Sequence, residues 1–247
     1  MTDLTRLLSD IRTGSRPPAS GAGLTVPADS SEAQDILLKV SRSLGPVVAW
    51  KVGSSSPEAA PSAAPIHKNT VFQDGETVPA TLCRYLGVES EVAFRFGRDL
   101  PDKGTPYTRS EVLDAVSSLH PAIEILDTRF EKPGSLHPLL HAADQQNHGA
   151  LIAGPAFGDW ESFDFTRIRV SQAIGQHDIL ERTLSHPAGD PLRLLVWLAG
   201  HAIRSGFPIT AGTIVTTGSL TGTIWARHGV LVRTSIEGCG AVSATLA

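Results

Sequence analysis

Two apolar runs carry glutamates where a sheet interior calls for hydrocarbon, and this constrains the fold more than anything else in the chain. The first is Val88-Glu89-Ser90-Glu91-Val92-Ala93-Phe94; the second is Ala122-Ile123-Glu124-Ile125-Leu126-Asp127. Side chains on a strand alternate between faces. Glu89 and Glu91 therefore share one face, with Val88, Ser90, Val92 and Phe94 on the other. Glu124 points away from Ile123 and Ile125. Burying unpaired carboxylates is costly. A hard divalent cation such as Mg²⁺ or Mn²⁺ would compensate, since it prefers oxygen ligands. The alternative is that the glutamates face solvent or meet arginines. Pattern alone leaves both readings open.

The remaining elements give the frame. Residues 3–12 place Leu4, Leu7, Leu8 and Ile11 on one helical face. Residues 13–28 read as an extended connection. Ser31-Glu32-Ala33-Gln34 has capping-box spacing and opens a helix to about Leu44, which Gly45-Pro46 ends. Residues 47–53 read as a strand, and the Ser/Pro/Ala-rich stretch 54–65 as a loop. Thr70-Val71-Phe72 and Thr77-Val78-Pro79 flank Gln73-Asp74-Gly75, a hairpin signal.

Thr108-Arg109-Ser110-Glu111 is a capping box, predicting a helix with Val112, Leu113, Val116 and Leu119 inward, halted by Pro121. Residues 131–149 read as a long loop in which His137 and His141 are surface residues. Strands are expected at 150–153, 166–171, 179–183, 214–217, 230–233 and 241–244, with a buried helix over 192–205. Short strands outnumber helices without alternating strictly with them. That favours α+β with a mixed, curled sheet over a doubly wound fold.

Charge and composition narrow the function. The 247 residues carry a net charge of −4, so no basic nucleic-acid footprint is present. An anionic ligand would need local cations or a metal. Cys83 and Cys239 form no CxxC pair, which makes a reduced cytoplasm the default. The first residues lack signal-peptide character, and no apolar run approaches a membrane span. No dinucleotide or phosphate loop occurs, and Gly218-Ser219-Leu220-Thr221-Gly222 puts leucine where a nucleophile elbow needs serine.

Lys51 shares a strand face with Ala49 and Gly53, small neighbours that let a lysine reach into a cavity; the alternative is a strand-edge lysine. Arg129 either pairs with Asp127 or a glutamate, or faces an anionic substrate. Thr217-Gly218-Ser219 at a strand end offers hydroxyls and a close backbone approach, or is an ordinary turn. Asp144 is a lone loop carboxylate.

Taken together these residues resemble a known family. They are Trp50-Lys51-Val52-Gly53, the Glu89-Ser90-Glu91 strand with Gly97-Arg98-Asp99-Leu100-Pro101, Tyr107-Thr108, His120-Pro121-Ala122-Ile123-Glu124, Asp127, Arg129, Leu192 to Ala202, Ala211-Gly212 and Thr217-Gly218-Ser219. The pattern is similar to the 2-keto-4-pentenoate hydratase and 4-oxalocrotonate decarboxylase branch of the fumarylacetoacetate hydrolase superfamily, from about residue 25 onward.

The resemblance implies an α+β fold: a mixed β-roll or barrel of the fumarylacetoacetate hydrolase type with flanking helices. An N-terminal helical region over 1–45 would pack on a catalytic domain over 46–247. It implies Mg²⁺ or Mn²⁺ held by Glu89, Glu91 and Glu124, with Lys51 as the active-site lysine. Arg129, Thr217 and Ser219 would bind substrate, and Asp144 would assist a proton or orient Lys51. The substrate implied is a small 2-oxo acid whose carboxylate and keto oxygens chelate the ion, which stabilises the enolate. A homo-oligomer is expected, with association to a related decarboxylase or hydratase as a further option.

The leading expectation is hydration of a 2-hydroxy-2,4-dienoate to a 4-hydroxy-2-oxo acid. The alternatives are decarboxylation of a 2-oxo-hexenedioate and a non-catalytic partner subunit. A diacid needs a second cation, for which Arg129 and Lys68 are the candidates.

Overall fold

The computed structural model describes residues 3–21, 23–176 and 178–247. The predicted 13–28 connection includes Ala22, and the predicted 1–45 region includes Met1 and Thr2, all outside the described residues.

Near the N-terminus lie α1 (Leu4–Arg12) and α2 (Ser30–Arg42). Asp3 caps α1 by accepting from Thr5 N at 3.0 Å, and the apolar stripe places Leu4, Leu7 and Leu8 in the interior. The cap of α2 is Asp29, which accepts from Glu32 N at 2.9 Å. The capping-box reading at Ser31 was therefore displaced by two residues: an aspartate accepts as well there, and Glu32 reaches back to Ala28 N.

Next come β1 (Val47–Gly53), β2 (Ser62–His67), β3 (Val71–Gln73), β4 (Thr77–Val78) and β5 (Gly87–Phe96). The expected loop 54–65 yields its last residues to β2, which pairs antiparallel with β1. The expected hairpin is absent: β3 pairs parallel with residues 151–153, and β4 pairs parallel with residues 245–246 in another sheet. Asp74 is bonded to Ser243 N instead, which turns the chain from one sheet to the other.

The capping box at Thr108 and Glu111 forms, but the helix α3 (Arg109–Leu113) is short. Val116 and Leu119 belong to β6 (Val116–Leu126), which runs through Pro121. Their helical spacing to Val112 is coincidental. Ten residues of β5 offer ladder partners, and β6 pairs along them from Val116 to Leu126.

The expected loop 131–149 contains α4 (Pro138–Ala143), in which His141 is buried rather than superficial and bonds Asn147 Oδ1 at 2.8 Å. The chain ends with β7 (His148–Ala153), β8 (Ile168–Ile174), β9 (Asp178–Leu184), α5 (Leu192–Arg204), β10 (Ile214–Thr216), β11 (Ile224–Trp225), β12 (Val230–Ile236) and β13 (Gly240–Leu246).

The elements form two mixed sheets. One runs β2-β1-β10-β5-β6-β7-β3, with β11 beside β5; the other runs β4-β13-β12-β8-β9. Val88, Ile123, Ile125 and Ile152 of the first meet Val232, Val242 and Ala244 of the second in a shared core. Helix α5 covers Trp50, Phe94 and Phe96 with Leu194, Leu195 and Leu198. Helices α1, α2 and α4 close a third cluster around Phe130. This is the α+β roll with flanking helices expected from the sequence; no closed barrel forms among the described residues. Among the same residues no helix is long and apolar enough to cross a membrane.

Candidate metal centre

Strand register sets the site. Glu89 on β5 stands directly opposite Glu124 on β6, and Glu91 stands opposite Ala122. The face that carries them is floored by Ala49, Ala93, Ala122 and Ala153. These small side chains leave room over the carboxylates. Lys51 comes from β1, three places along the sheet from β6. Strands pack about 4.8 Å apart, so a flat sheet would separate β1 and β6 by roughly 14 Å. The sheet curls enough that Lys51 Nζ donates to Glu124 Oε1 at 2.7 Å.

One carboxylate oxygen from each of Glu89, Glu91 and Glu124 lies within 4.8 Å of the others. Each glutamate is anchored through one oxygen. Gly218 N donates to Glu91 Oε2 at 2.9 Å, and Thr223 Oγ1 donates to Glu89 Oε1. Glu124 Oε1 accepts from Lys51 and from His148 Nδ1 at 3.0 Å. The second oxygen of each has no hydrogen-bond partner among the described residues. Rigid carboxylates with one free oxygen apiece suit a hard cation.

The charge balance says the same. Burial, reinforced by the Glu124 and Glu89 carboxylates, pushes Glu91 up to about 8. Burial also raises Glu89. Burial works against the charged form of Glu124, but Lys51 and His148 outweigh it and hold that group ionised. Lys51 behaves likewise: burial opposes its charge, and Glu124 more than restores it. With all three carboxylates ionised, as a bound ion would require, one ammonium leaves two negative charges, matching a divalent cation. Burial holds His148 down at about 4, so it is neutral. It donates from Nδ1 to Glu124, and its Nε2 lies 3.0 Å from Thr70 Oγ1, whose hydroxyl also donates to the His67 carbonyl at 2.9 Å.

Lys51 has a second partner, the carbonyl of Gln146 at 3.2 Å. That carbonyl sits in a strained turn: Gln145, Gln146 and Asn147 all have positive φ, at 49°, 52° and 61°. Consecutive left-handed conformations in residues with a Cβ cost energy and persist only when held. Gln145 Nε2 donates to Pro65 O at 3.0 Å, Asn147 bonds His141, and Asp144 anchors the start. Asp144 is buried and accepts from Arg129 Nε at 2.6 Å, Arg129 N at 2.9 Å, Thr128 Oγ1 at 3.0 Å and Arg12 Nη2 at 3.3 Å. It makes no contact with Lys51 among the described residues; it holds the turn that does.

Arg129 differs from the substrate-facing expectation. Its Nε is on Asp144, its Nη2 donates to Asp127 O at 3.1 Å and its Nη1 lies 3.6 Å from Asp127. With Nε and Nη2 hydrogen-bonded and Nη1 in a longer ion pair with Asp127, this guanidinium is committed to protein acceptors. The pairing with Asp127, one of the two sequence alternatives, is the one realised. Thr217 is also occupied: its hydroxyl bonds Val92 O at 3.2 Å and His186 Nε2 at 3.1 Å. Gly218 adopts φ +108°, a backbone favouring glycine, which turns its N–H onto Glu91. Ser219 Oγ is buried with no partner.

Sequence reasoning missed His148, Thr70, Thr223 and Gln146. Gln146 acts through a carbonyl, so its residue type carries no signal. His148 begins a strand beside Gly149, where a Cβ would come within 2.8 Å of Ile125 O; that close approach is a weak pointer to tight packing against Glu124's strand.

Comparison with known proteins agrees with this architecture. Residues 44–247 match the model of the fumarylacetoacetate (FAA) hydrolase C-terminal family. 2-Keto-4-pentenoate hydratase 2 of Dechloromonas aromatica (strain RCB) is 32% identical over 174 residues, covering 70% of this chain and 65% of that protein. A 4-oxalocrotonate decarboxylase of a Pseudomonas species is 27% identical over 158 residues, covering 63% of this chain and 59% of its own length. The chain thus spans slightly less than two thirds of these relatives. In fold, it superposes on 4-oxalocrotonate decarboxylase from Pseudomonas putida G7, complexed with magnesium and adipate. That match has a TM-score of 0.80 at 20% identity, over 100% of this chain and 99% of the other.

Proposed function

This chain belongs to the fumarylacetoacetate hydrolase family, and on that footing we propose that it is a divalent-metal-dependent hydro-lyase. It would add water to a 2-hydroxy-2,4-dienoate, of the 2-oxopent-4-enoate type, to give a 4-hydroxy-2-oxo acid. The observation that carries this reading is the converging Glu89–Glu91–Glu124 trio, two charges short of neutrality beside a charged lysine.

Glu89, Glu91 and Glu124 would hold Mg²⁺ or Mn²⁺. The bound ion supplies Lewis acidity for negative charge developing on the oxygens of a 2-oxo acid. Lys51, held charged by Glu124, acts as a hydrogen-bond donor and proton source rather than a base. The Gln146 carbonyl fixes where its ammonium points. The unpartnered Ser219 hydroxyl is the group we assign to the substrate carboxylate. Thr217 and Gly218 set the turn that presents it. Asp144 orients Lys51 at one remove, through the 145–147 turn.

The monoacid is preferred over a diacid because the candidate second cations are not available. Arg129 is committed to Asp144 and Asp127, and Lys68 is exposed. The relatives named hydratase support the same preference. The two buried free cysteines fit a reducing cytoplasm. Exposed Trp225 and Leu231 are apolar surface available to a second copy in a homo-oligomer, or to a related decarboxylase.

The test is incubation with Mg²⁺ and either 2-hydroxypenta-2,4-dienoate or 2-oxohex-3-enedioate, following dienol loss and CO₂ release. Hydration without CO₂ supports the proposal. CO₂ release from the diacid moves the assignment to the decarboxylase. No turnover together with no Mg²⁺ or Mn²⁺ uptake leaves the partner-subunit reading.

A further inference from the structure

Behind the metal centre lies a second cavity of about 250 Å³, walled by α1, the Thr81–Arg84 segment, Thr70 and the 127–129 segment. Arg12, Arg16, Arg84 and Arg129 all line it, and Asp127 is the one acidic residue in its wall. Counting the buried Asp144 beneath, four arginines against two aspartates leave two positive charges. The chain as a whole is acidic, at −4, so this concentration is local.

The Arg12 side chain is 8% exposed, yet only its Nη2 finds acceptors: Asp144 and the His148 carbonyl. Its Nε is buried with no partner. Arg84 uses Nη2 alone, on Phe130 O at 2.6 Å and Thr128 O at 3.4 Å. The Arg16 backbone N–H donates to Asp10 O at 3.2 Å, and its guanidinium makes no hydrogen bond or ion pair among the described residues. Burial and the neighbouring Arg129 push Arg12 down to about 9, as expected for positive charge left uncompensated. Arginine forks match carboxylate and phosphate oxygens in pairs.

We propose that this cavity is a binding site for a small dianion carrying carboxylate or phosphate groups, received by Arg12, Arg16 and Arg84. It is separate from the glutamate trio and does not depend on the reaction proposed above. Its wall meets the metal centre at Thr70, which bonds His148 on the far side. Asn69 and His67 supply further polar lining. A dicarboxylate metabolite and a phosphate share the required chemistry.

Calorimetric titration of the full chain at saturating Mg²⁺ tests this, with inorganic phosphate in one arm and succinate in the other, against chloride at matched ionic strength. Saturable binding in either arm is expected, and the stronger arm identifies the source. The Arg16→Ala/Arg84→Ala variant should bind at least tenfold more weakly with Mg²⁺ uptake unchanged. Arg16→Ala alone removes no internal contact and should show a smaller loss in the same direction. Glu91→Gln should leave the anion affinity intact. Binding that is indifferent to both arginine variants, that disappears with Glu91→Gln, or that matches chloride overturns the proposal.

Discussion

Lys51 Nζ lies 2.7 Å from Glu124 Oε1, although their strands are three places apart in the sheet. That contact ties the curl of the roll to the chemistry of the site. It neutralises one carboxylate and leaves Glu89 and Glu91 for a cation.

Lys51→Met keeps the length of the side chain and removes its charge. Turnover should fall by roughly 10²-fold or more, the scale of losing a positioned proton donor. Mg²⁺ affinity should stay the same or tighten, because Glu124 no longer has a competing cation. Steady-state kinetics beside metal titration separate the two effects. Turnover close to wild type would remove Lys51 from the mechanism.

Metal uptake should depend on pH. Glu91 lies at about 8 in the metal-free protein, so near neutrality it carries a proton that the ion must displace. Apparent Mg²⁺ affinity should rise toward about tenfold per pH unit below that value and level off above it. Calorimetry in buffers of different ionisation enthalpy should register close to one proton released at pH 7. In Glu91→Gln that release should vanish along with most of the affinity.

Arg129→Ala should damage the fold before it damages substrate binding. The change leaves Asp144 and Asp127 buried with fewer partners, and breaking such a pair costs on the order of 3–5 kcal/mol. Urea unfolding should show that loss. A rise in KM at unchanged stability would instead make Arg129 a substrate contact.

Gln146 contributes a carbonyl from a left-handed backbone with φ 52°. Gln146→Gly keeps the carbonyl and relieves strain of roughly 1 kcal/mol, offset in part by glycine's chain entropy. Activity should be retained and stability unchanged or slightly higher. Gln146→Val should lower both, since a β-branched residue resists that backbone. Thermal unfolding and kcat on the pair provide the check.

Much of the site was legible in the sequence because strands alternate. Once Glu89, Glu91 and Glu124 were on strands, their faces followed from period two, and β5 pairs with β6 so that they meet. The small neighbours of Lys51 let it reach a cavity but left a strand-edge lysine open, and it was the family resemblance that singled it out. The helix over 109–119 was misread because Val116 and Leu119 continue the helical period of Val112 in α3, yet belong to a strand buried on nearly all of its length. The hairpin at Gly75 was misread because local turn chemistry says nothing about which sheet the chain enters next. Arg129 and Asp144 could not be sorted into structure or catalysis from the sequence. Their roles depend on Asp127, Thr128 and Arg12 converging from segments far apart in the chain.

The most direct test of the account is an anomalous difference map from crystals grown with Mn²⁺ and oxalate. The account predicts one peak per chain, about 2.1 Å from an oxygen of each of Glu89, Glu91 and Glu124, with oxalate on the open side toward Lys51 and Ser219. A map with no peak there, or with the ion bound by other residues while those three oxygens stay apart, would contradict it.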